Sequence, residues 1–202
     1  MARFSRPTNS LLPESFVING GNWALTNLQW ERQLGMINPG PLVRITGGSN
    51  HRIMHCRFTD ASADRRGLNQ AIWAGQTDSL RIDSSFFEGF GNAILLAPAT
   101  VARGIVVRGN RWEKYKGPAF VARQQLQLDF SHNTISNANG AAANFAGVAL
   151  DGVEGLQLYN NRFLGAIPPT ALHIRKAIAN VALENRVFNN ELYGFTDTLS
   201  NS

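Results

Sequence analysis

Cysteine is all but missing from this 202-residue chain, and the single Cys56 rules out an intrachain disulfide framework and any Cys-x-x-Cys metal site. Cys56 reads as a small buried apolar filler. Lysine is scarce as well: only Lys114, Lys116 and Lys176 stand among 19 basic residues, and the net charge of +5 is carried by arginine. No zinc-finger or P-loop spacing accompanies that charge, so it reads as solvated surface and no nucleic-acid partner is expected. No apolar run approaches the ~20 residues of a membrane helix, which excludes insertion by a helix. The opening "MARFSRPTNSLLPESF" has no apolar core of a signal peptide, so no secretion signal is expected. The four histidines (His51, His55, His132, His173) lack metal-ligand spacing and no calcium-binding carboxylate cluster stands out, so neither a metal nor a cofactor is expected.

A repeated phrase fills the space these absences leave. "LQLYNNRF" (156–163) has counterparts in "IVVRGNRW" (105–112) and "LQLDFSHNTI" (126–135). Its pattern is apolar, any, apolar, four variable residues, then a large apolar residue. It fits Trp23-Leu25-Trp30, His51-Ile53-Phe58, Leu80-Ile82-Phe87, Ile105-Val107-Trp112, Leu128-Phe130-Ile135, Leu156-Leu158-Phe163 and Val181-Leu183-Phe188. The closing residues are spaced by 28, 29, 25, 23, 28 and 25, and a near-constant interval of this size marks a solenoid.

A second apolar pair precedes each octet: Phe16/Ile18, Val43/Ile45, Ala71/Trp73, Ile94/Leu96, Phe120/Ala122, Val148/Leu150 and Leu172/Ile174. Both pairs alternate with period two, the signature of strands with one buried face. Gly and Pro punctuation ("NPGP", "GGSN", "YKGP", "IPPT") falls between them. The pattern predicts about seven coils of two or three short strands over residues 16–190. An N-terminal extended arm (1–15) and a C-terminal tail (191–202) flank them. One octet position holds Leu28, Cys56, Ser85, Asn110, Asn133, Asn161 and Arg186. Asn110, Asn133 and Asn161 mark a turn there, because asparagine tolerates a left-handed backbone and can hydrogen-bond along a stack through its amide. His51 takes an inward apolar position and reads as a satisfied core histidine.

On these phrases the chain resembles the right-handed parallel β-helix family, the pectin-lyase-like superfamily, and the resemblance implies an all-β, single-stranded parallel β-helix. That family includes polysaccharide lyases, hydrolases and epimerases, together with bacteriophage tailspikes and other virion proteins, so fold alone does not choose a function. The Asp-pair and His-Gly patterns of its galacturonan hydrolases are missing, and "HIRKA" (173–177) only faintly echoes their Arg-Ile-Lys segment.

If the paired residues point inward, Ile72, Leu95, Val121 and Ala149 point outward on four consecutive coils, as an apolar stripe ended by Arg44 and His173. Fully burying one Val, Leu or Ile is worth ~1.5–3 kcal/mol, so the stripe is expected to be covered by a second chain or a terminal arm. Beside it, Arg123, Asp151 and Arg175 form an alternating charge row with His173 next to it. An enzyme would use these as acid, base and carboxylate-stabilising arginine, and a structural protein would present them as a polar face. Asp83, Arg108, Tyr159 and Glu184 make a mixed outer face on the second strand. Arg57, Arg111 and Arg162 form a sparse basic line suited to an acidic partner or to solvent. The loops "TDASADRRGLNQ" (59–70) and "SNANGAAANFAG" (136–147) break the period and are long enough to form a lip and a packing surface.

The sequence thus favours a non-catalytic phage or virion structural protein, of the capsid-decoration or tailspike kind. It would assemble as a homotrimer in the host cytoplasm, in contact with other virion proteins. The alternatives are a secreted lyase or epimerase on an acidic glycan, working at Arg123, Asp151, His173 and Arg175, and a module that adheres to a surface glycan.

Overall fold

The structure is a computed structural model that describes residues 2–5, 16–32, 40–61, 70–115, 117–136, 147–165, 170–175, 183–193 and 197–201. The chain is an all-β parallel solenoid, and the described residues contain no helix. Each coil contributes one short strand to each of three walls. The first wall runs through Phe16–Ile18, Val43–Ile45, Ile72–Ala74, Ile94–Leu96, the start of Phe120–Ser131, Val148–Glu154, Thr170–Arg175 and Asp197–Asn201. The second runs from Ala24–Thr26 through Arg52–Met54, Arg81–Asp83 and Ala102–Arg108 to Gln157–Tyr159 and Arg186–Phe188. The twelve-residue strand Phe120–Ser131 continues round the corner and joins the two walls into one sheet. The third wall carries the closing aromatic residues and includes Leu28–Arg32, Arg57–Asp60, Phe86–Glu88, Arg111–Glu113, Thr134–Ser136, Arg162–Leu164 and Glu191–Tyr193.

About five turns are complete, fewer than the seven repeats predict. Between residues 43 and 164 every wall strand is paired to a coil on both sides, whereas among the described residues the first and last repeats each leave at least one wall with an unpaired edge. The described strands of the flanking segments pair with the solenoid. Ala2–Ser5 pairs in parallel with Leu28–Arg32, while Glu191–Tyr193 and Asp197–Asn201 extend the third and first walls.

Two left-handed corners explain why so many positions resist a simple period. Asn22, Asn50, Ser79, Gly104, Gln127 and Gly155 all have positive φ between the first and second walls. Between the second and third walls the column is Asn27, His55, Ser84, Gly109, His132, Asn160 and Asn189. Left-handed backbone favours Gly and Asn, which are common in both columns. The asparagines singled out in the sequence sit one residue further on: Asn110, Asn133 and Asn161 follow the left-handed residue and turn their side chains into the buried interior.

There they form a ladder. The Nδ2 of Asn110, Asn133 and Asn161 donates to the carbonyls of Ile82, Val107 and Phe130, each at 2.9 Å, and each Oδ1 accepts the backbone N–H of the preceding coil's ladder residue. Asn190 is the next rung, with its Oδ1 3.0 Å from the backbone nitrogen of Asn161. The last repeat is accordingly Asn185, Val187 and Leu192, which pair with the coil of Leu156, Leu158 and Phe163, and not Val181, Leu183 and Phe188. The sequence reading slipped because Leu183 and Phe188 mimic the apolar spacing, while Asn185 replaces an apolar residue.

Stacked rings fill the third wall's inner face: Trp30 on Phe58, Phe58 on Phe87 and Phe87 on Trp112, with centroids 4.8, 5.0 and 5.3 Å apart. Each ring meets its own kind at the rung spacing of parallel strands, which gives offset stacking along the axis. His51 is fully buried, with its Nδ1 3.4 Å from the Trp23 backbone nitrogen and its Nε2 3.0 Å from the Gly47 carbonyl, so both ring nitrogens have a polar neighbour.

Candidate functional site

The first wall's outer face was the leading candidate surface, and pair register fixes its membership. Val17, Arg44, Trp73, Leu95, Val121, Ala149 and His173 stand abreast on successive coils. Leu95, Val121 and Ala149 are therefore where the sequence reading put them, half-buried on the outside. Ile72 is not. It is wholly buried, in register with Val43 and Ile94, and Trp73 takes the outward place. In "AIWAG" (71–75) either alternation looks plausible, and a slip of one residue exchanges the two faces.

The local chemistry explains why Trp73 is the outward residue. Its ring lies over Gly75, where an added Cβ would come within 2.7 Å of it, and the Arg44 guanidinium stacks 4.8 Å from its centroid. A glycine two residues further along the same coil and a cation on the preceding coil thus make a seat for an indole on the outside. The signal was present as "WAG", but nothing in the sequence links it to Arg44.

The charge row is in register too. Arg123 pairs with Asp151 and Asp151 with Arg175, all three exposed, and His173 lies two residues before Arg175 on the same strand. No ion pair within 4.0 Å links Asp151 to either arginine. The Nε2 of His173 is shut off from solvent without a partner. The two arginines of the row could bind an anion, but the row supplies only one carboxylate, with no second to share acid and base roles.

On the third wall Arg57, Arg111 and Arg162 occupy one column, with Phe86 and Thr134 between them. Each is matched by an acid: Arg57 by Glu88 at 3.2 Å, Arg111 by Glu113, and Arg162 by Glu191 at 2.7 Å. Arg57 also lies over Phe86, 4.3 Å from the ring centroid. Much of the charge of the basic line is thus matched by acids on the same wall. Lys114 joins it through Glu88 at 2.6 Å, and that hydrogen bond raises the lysine above its ordinary pKa.

On the second wall Asp83 and Arg108 face outward on adjacent coils. Burial pushes the Asp83 carboxyl up, but hydrogen bonds from Arg81 and Ser84 outweigh it and hold the pKa below its ordinary value. Tyr159 stacks on Phe188 at 5.1 Å and meets the edge of His132, making an outer aromatic cluster. Glu184 is bound through Oε2 by the Nε and an Nη of Arg186, which lowers its pKa.

One feature was missed entirely. Arg32 and Asp60, both buried, meet at 3.1 Å two residues beyond the stacked Trp30 and Phe58. Arg32 also donates to the carbonyls of Gly40 and Gln70 and lies 5.7 Å from the Phe90 ring centroid. The pair pins the corner that leads out of the third wall. Their equal offset from the two aromatic residues was the available sequence signal.

Most of the two loops expected to form a lip and a packing surface, at 62–69 and 137–146, lies outside the described residues. Among the described residues no three His, Cys, Asp or Glu side chains gather as a metal site, and no helix is long and apolar enough to cross a membrane. No family model, no curated protein and no solved structure matches the chain. The resemblance to the pectin-lyase-like superfamily therefore extends to the parallel β-solenoid and no further.

Proposed function

We propose that the chain is a non-catalytic structural β-solenoid that assembles with copies of itself through the outer face of its first wall, as a part of a virion. The observation that carries this reading is the row Trp73, Leu95, Val121 and Ala149. It is four coils long, apolar, straight because the coils are in register, and bounded by Arg44 and His173. Strand Ala2–Ser5 adds to the third wall, so this part of the N-terminal arm is not the cover for the row. A flat, straight face suits packing about a symmetry axis, and a threefold arrangement is the one we favour. The virion setting rests on the fold resemblance alone. Light scattering on the purified chain tests the assembly: a mass of three chains is expected, and a monomer at micromolar concentration would overturn it.

A second reading is an enzyme on an acidic glycan at Arg123, Asp151, His173 and Arg175. The in-register row of the first two with Arg175 is what favours it. On this reading Asp151→Asn abolishes turnover of a uronic-acid polymer, because it removes the only acid of the row. Turnover that survives that change would eliminate the site.

A further inference from the structure

The second wall carries a groove of about 360 Å³ where it meets the segment leading into the last coil. Asp129 stands in its floor, in an outward column with Val106 on one side and Gln157 on the other. The rims are Gln127 and the pair Leu183 and Glu184. Gly155 lets the wall close in: a Cβ there would lie 3.3 Å from both Leu183 Cδ1 and the Gln127 nitrogen.

Asp129 is anomalous in this setting. Its Oδ1 is cut off from solvent and has no hydrogen-bond partner, and no cation of the described residues pairs with the carboxylate. Withdrawing a carboxylate oxygen from water without giving it a donor is unfavourable, so such groups are normally paired. The two guanidiniums along the column, Arg81 and Arg186, each stand two coils away and are already engaged, Arg81 by Asp83 at 2.6 Å and Arg186 by Glu184 at 2.7 Å. Gln127 and Gln157 add two carboxamides that no hydrogen bond from another described residue occupies, and Leu183 adds an apolar flank.

We propose that this groove binds an alkylammonium ion, the group shared by a lysine side chain of a partner protein and a free aliphatic diamine. An ammonium head has three N–H donors, and the groove offers three acceptors, the Asp129 carboxylate through Oδ2, its oxygen that is not closed to solvent, and the side-chain carbonyls of Gln127 and Gln157. Its positive charge compensates Asp129, which a neutral hydroxyl does not, and its methylene stem lies along Leu183. A divalent metal fits worse, since it seeks six or more oxygens and Glu184 is committed to Arg186. The inference is independent of the assembly proposed for the first wall.

The test is a chemical-shift titration of the isotope-labelled full chain with Nα-acetyl-lysine methylamide, with cadaverine, and with the neutral Nα,Nε-diacetyl-lysine methylamide. Saturable shifts are expected at the amides of residues 127–129 and 155–157 with at least one of the two amines. The neutral compound should bind about tenfold more weakly or less, because it lacks the charge-assisted hydrogen bonds. Binding by the lysine derivative alone assigns the site to a protein side chain, and binding by cadaverine alone assigns it to a free diamine. Asp129→Asn, which keeps the shape of an outward residue, should abolish saturation while the spectrum keeps its dispersion. If that variant fails to fold, the charged and neutral ligands on the unaltered chain still decide. The proposal is overturned if neither amine shifts these amides, if the neutral compound binds equally well, or if folded Asp129→Asn binds as before.

Discussion

The Oδ1 of Asn133 accepts two hydrogen bonds from Asn110, one from its backbone N–H at 2.9 Å and one from its side-chain amide at 3.2 Å. Asn133 in turn donates its own amide to the Val107 carbonyl and to Asn161. A rung of this ladder therefore satisfies groups in the coils on both sides of its own. Asn133→Ala strands a buried N–H and a buried carbonyl at once, and each unsatisfied group costs roughly 1–3 kcal/mol. We expect a loss of about 4 kcal/mol in urea unfolding, against about 1–2 kcal/mol for Asn190→Ala, where the coil is open to water and solvent replaces the lost partners. Equal losses at both positions would show that the ladder is not what holds these corners.

Phe58 is packed between Trp30 and Phe87 with almost parallel rings, at interplanar angles of 4° and 1°. Both neighbours are fixed by their own strands, so the space left by Phe58→Ala cannot collapse. A loss of about 3–5 kcal/mol is expected, read from the urea midpoint at unchanged m value. A variant that unfolds with the parent would mean that the stack is decoration on a core held elsewhere.

The stack, the ladder and the inward pairs were legible in the sequence because each coil repeats one physical task, and repetition reveals the task. What was not legible is what happens once. Trp73 points outward because Gly75 and Arg44 make a seat for it, and period-two alternation in "AIWAG" does not distinguish that from its mirror choice. Asn185 and Asn190 continue the ladder where apolar spacing suggested Leu183 and Phe188. The buried Arg32–Asp60 pair left only its equal offset from Trp30 and Phe58 as a trace, and the unpartnered Asp129 depends on which coils touch. The outward residues of the first wall's row were read to within one residue, while the reason for their placement required the register.

Tyr115 is buried with a hydroxyl that has no partner, and burial alone raises its pKa above the ordinary value of 10.0. As pH rises past 10 the unfolded chain releases the phenolic proton first, so the native state loses stability there. Below that value the contribution does not change with pH. Burial likewise raises the Cys56 thiol above its ordinary 9.0, against weaker opposing hydrogen bonds, which gives a loss of the same sign that begins about one unit lower. Tyr115→Phe removes an unpaired polar atom and should leave the chain as stable at pH 7 or about 1 kcal/mol more stable. It should also flatten the fall in stability above pH 10. A variant clearly weaker at pH 7 would show that the hydroxyl has a partner in solution.

Leu95 lies at the centre of the first wall's apolar row, between Trp73 on one coil and Val121 on the next. It points away from the core, so Leu95→Asp leaves the inward Ile94 and Leu96 untouched and should preserve the strand. In an assembly that buries the row, the new carboxylate would be desolvated without a partner, which costs several kcal/mol per contact. The expected variant is a single chain by light scattering, with the β-type circular dichroism of the parent and a first-wall surface that binds a hydrophobic dye. Arg123→Glu, on the exposed charge row beside the stripe, is the control: it alters charge on the same wall without entering the apolar row, and should leave the assembled mass in place. If Leu95→Asp keeps the parent's mass and stability, the row is not an interface. If both variants dissociate, the contact is electrostatic and lies on the Arg123, Asp151 and Arg175 side.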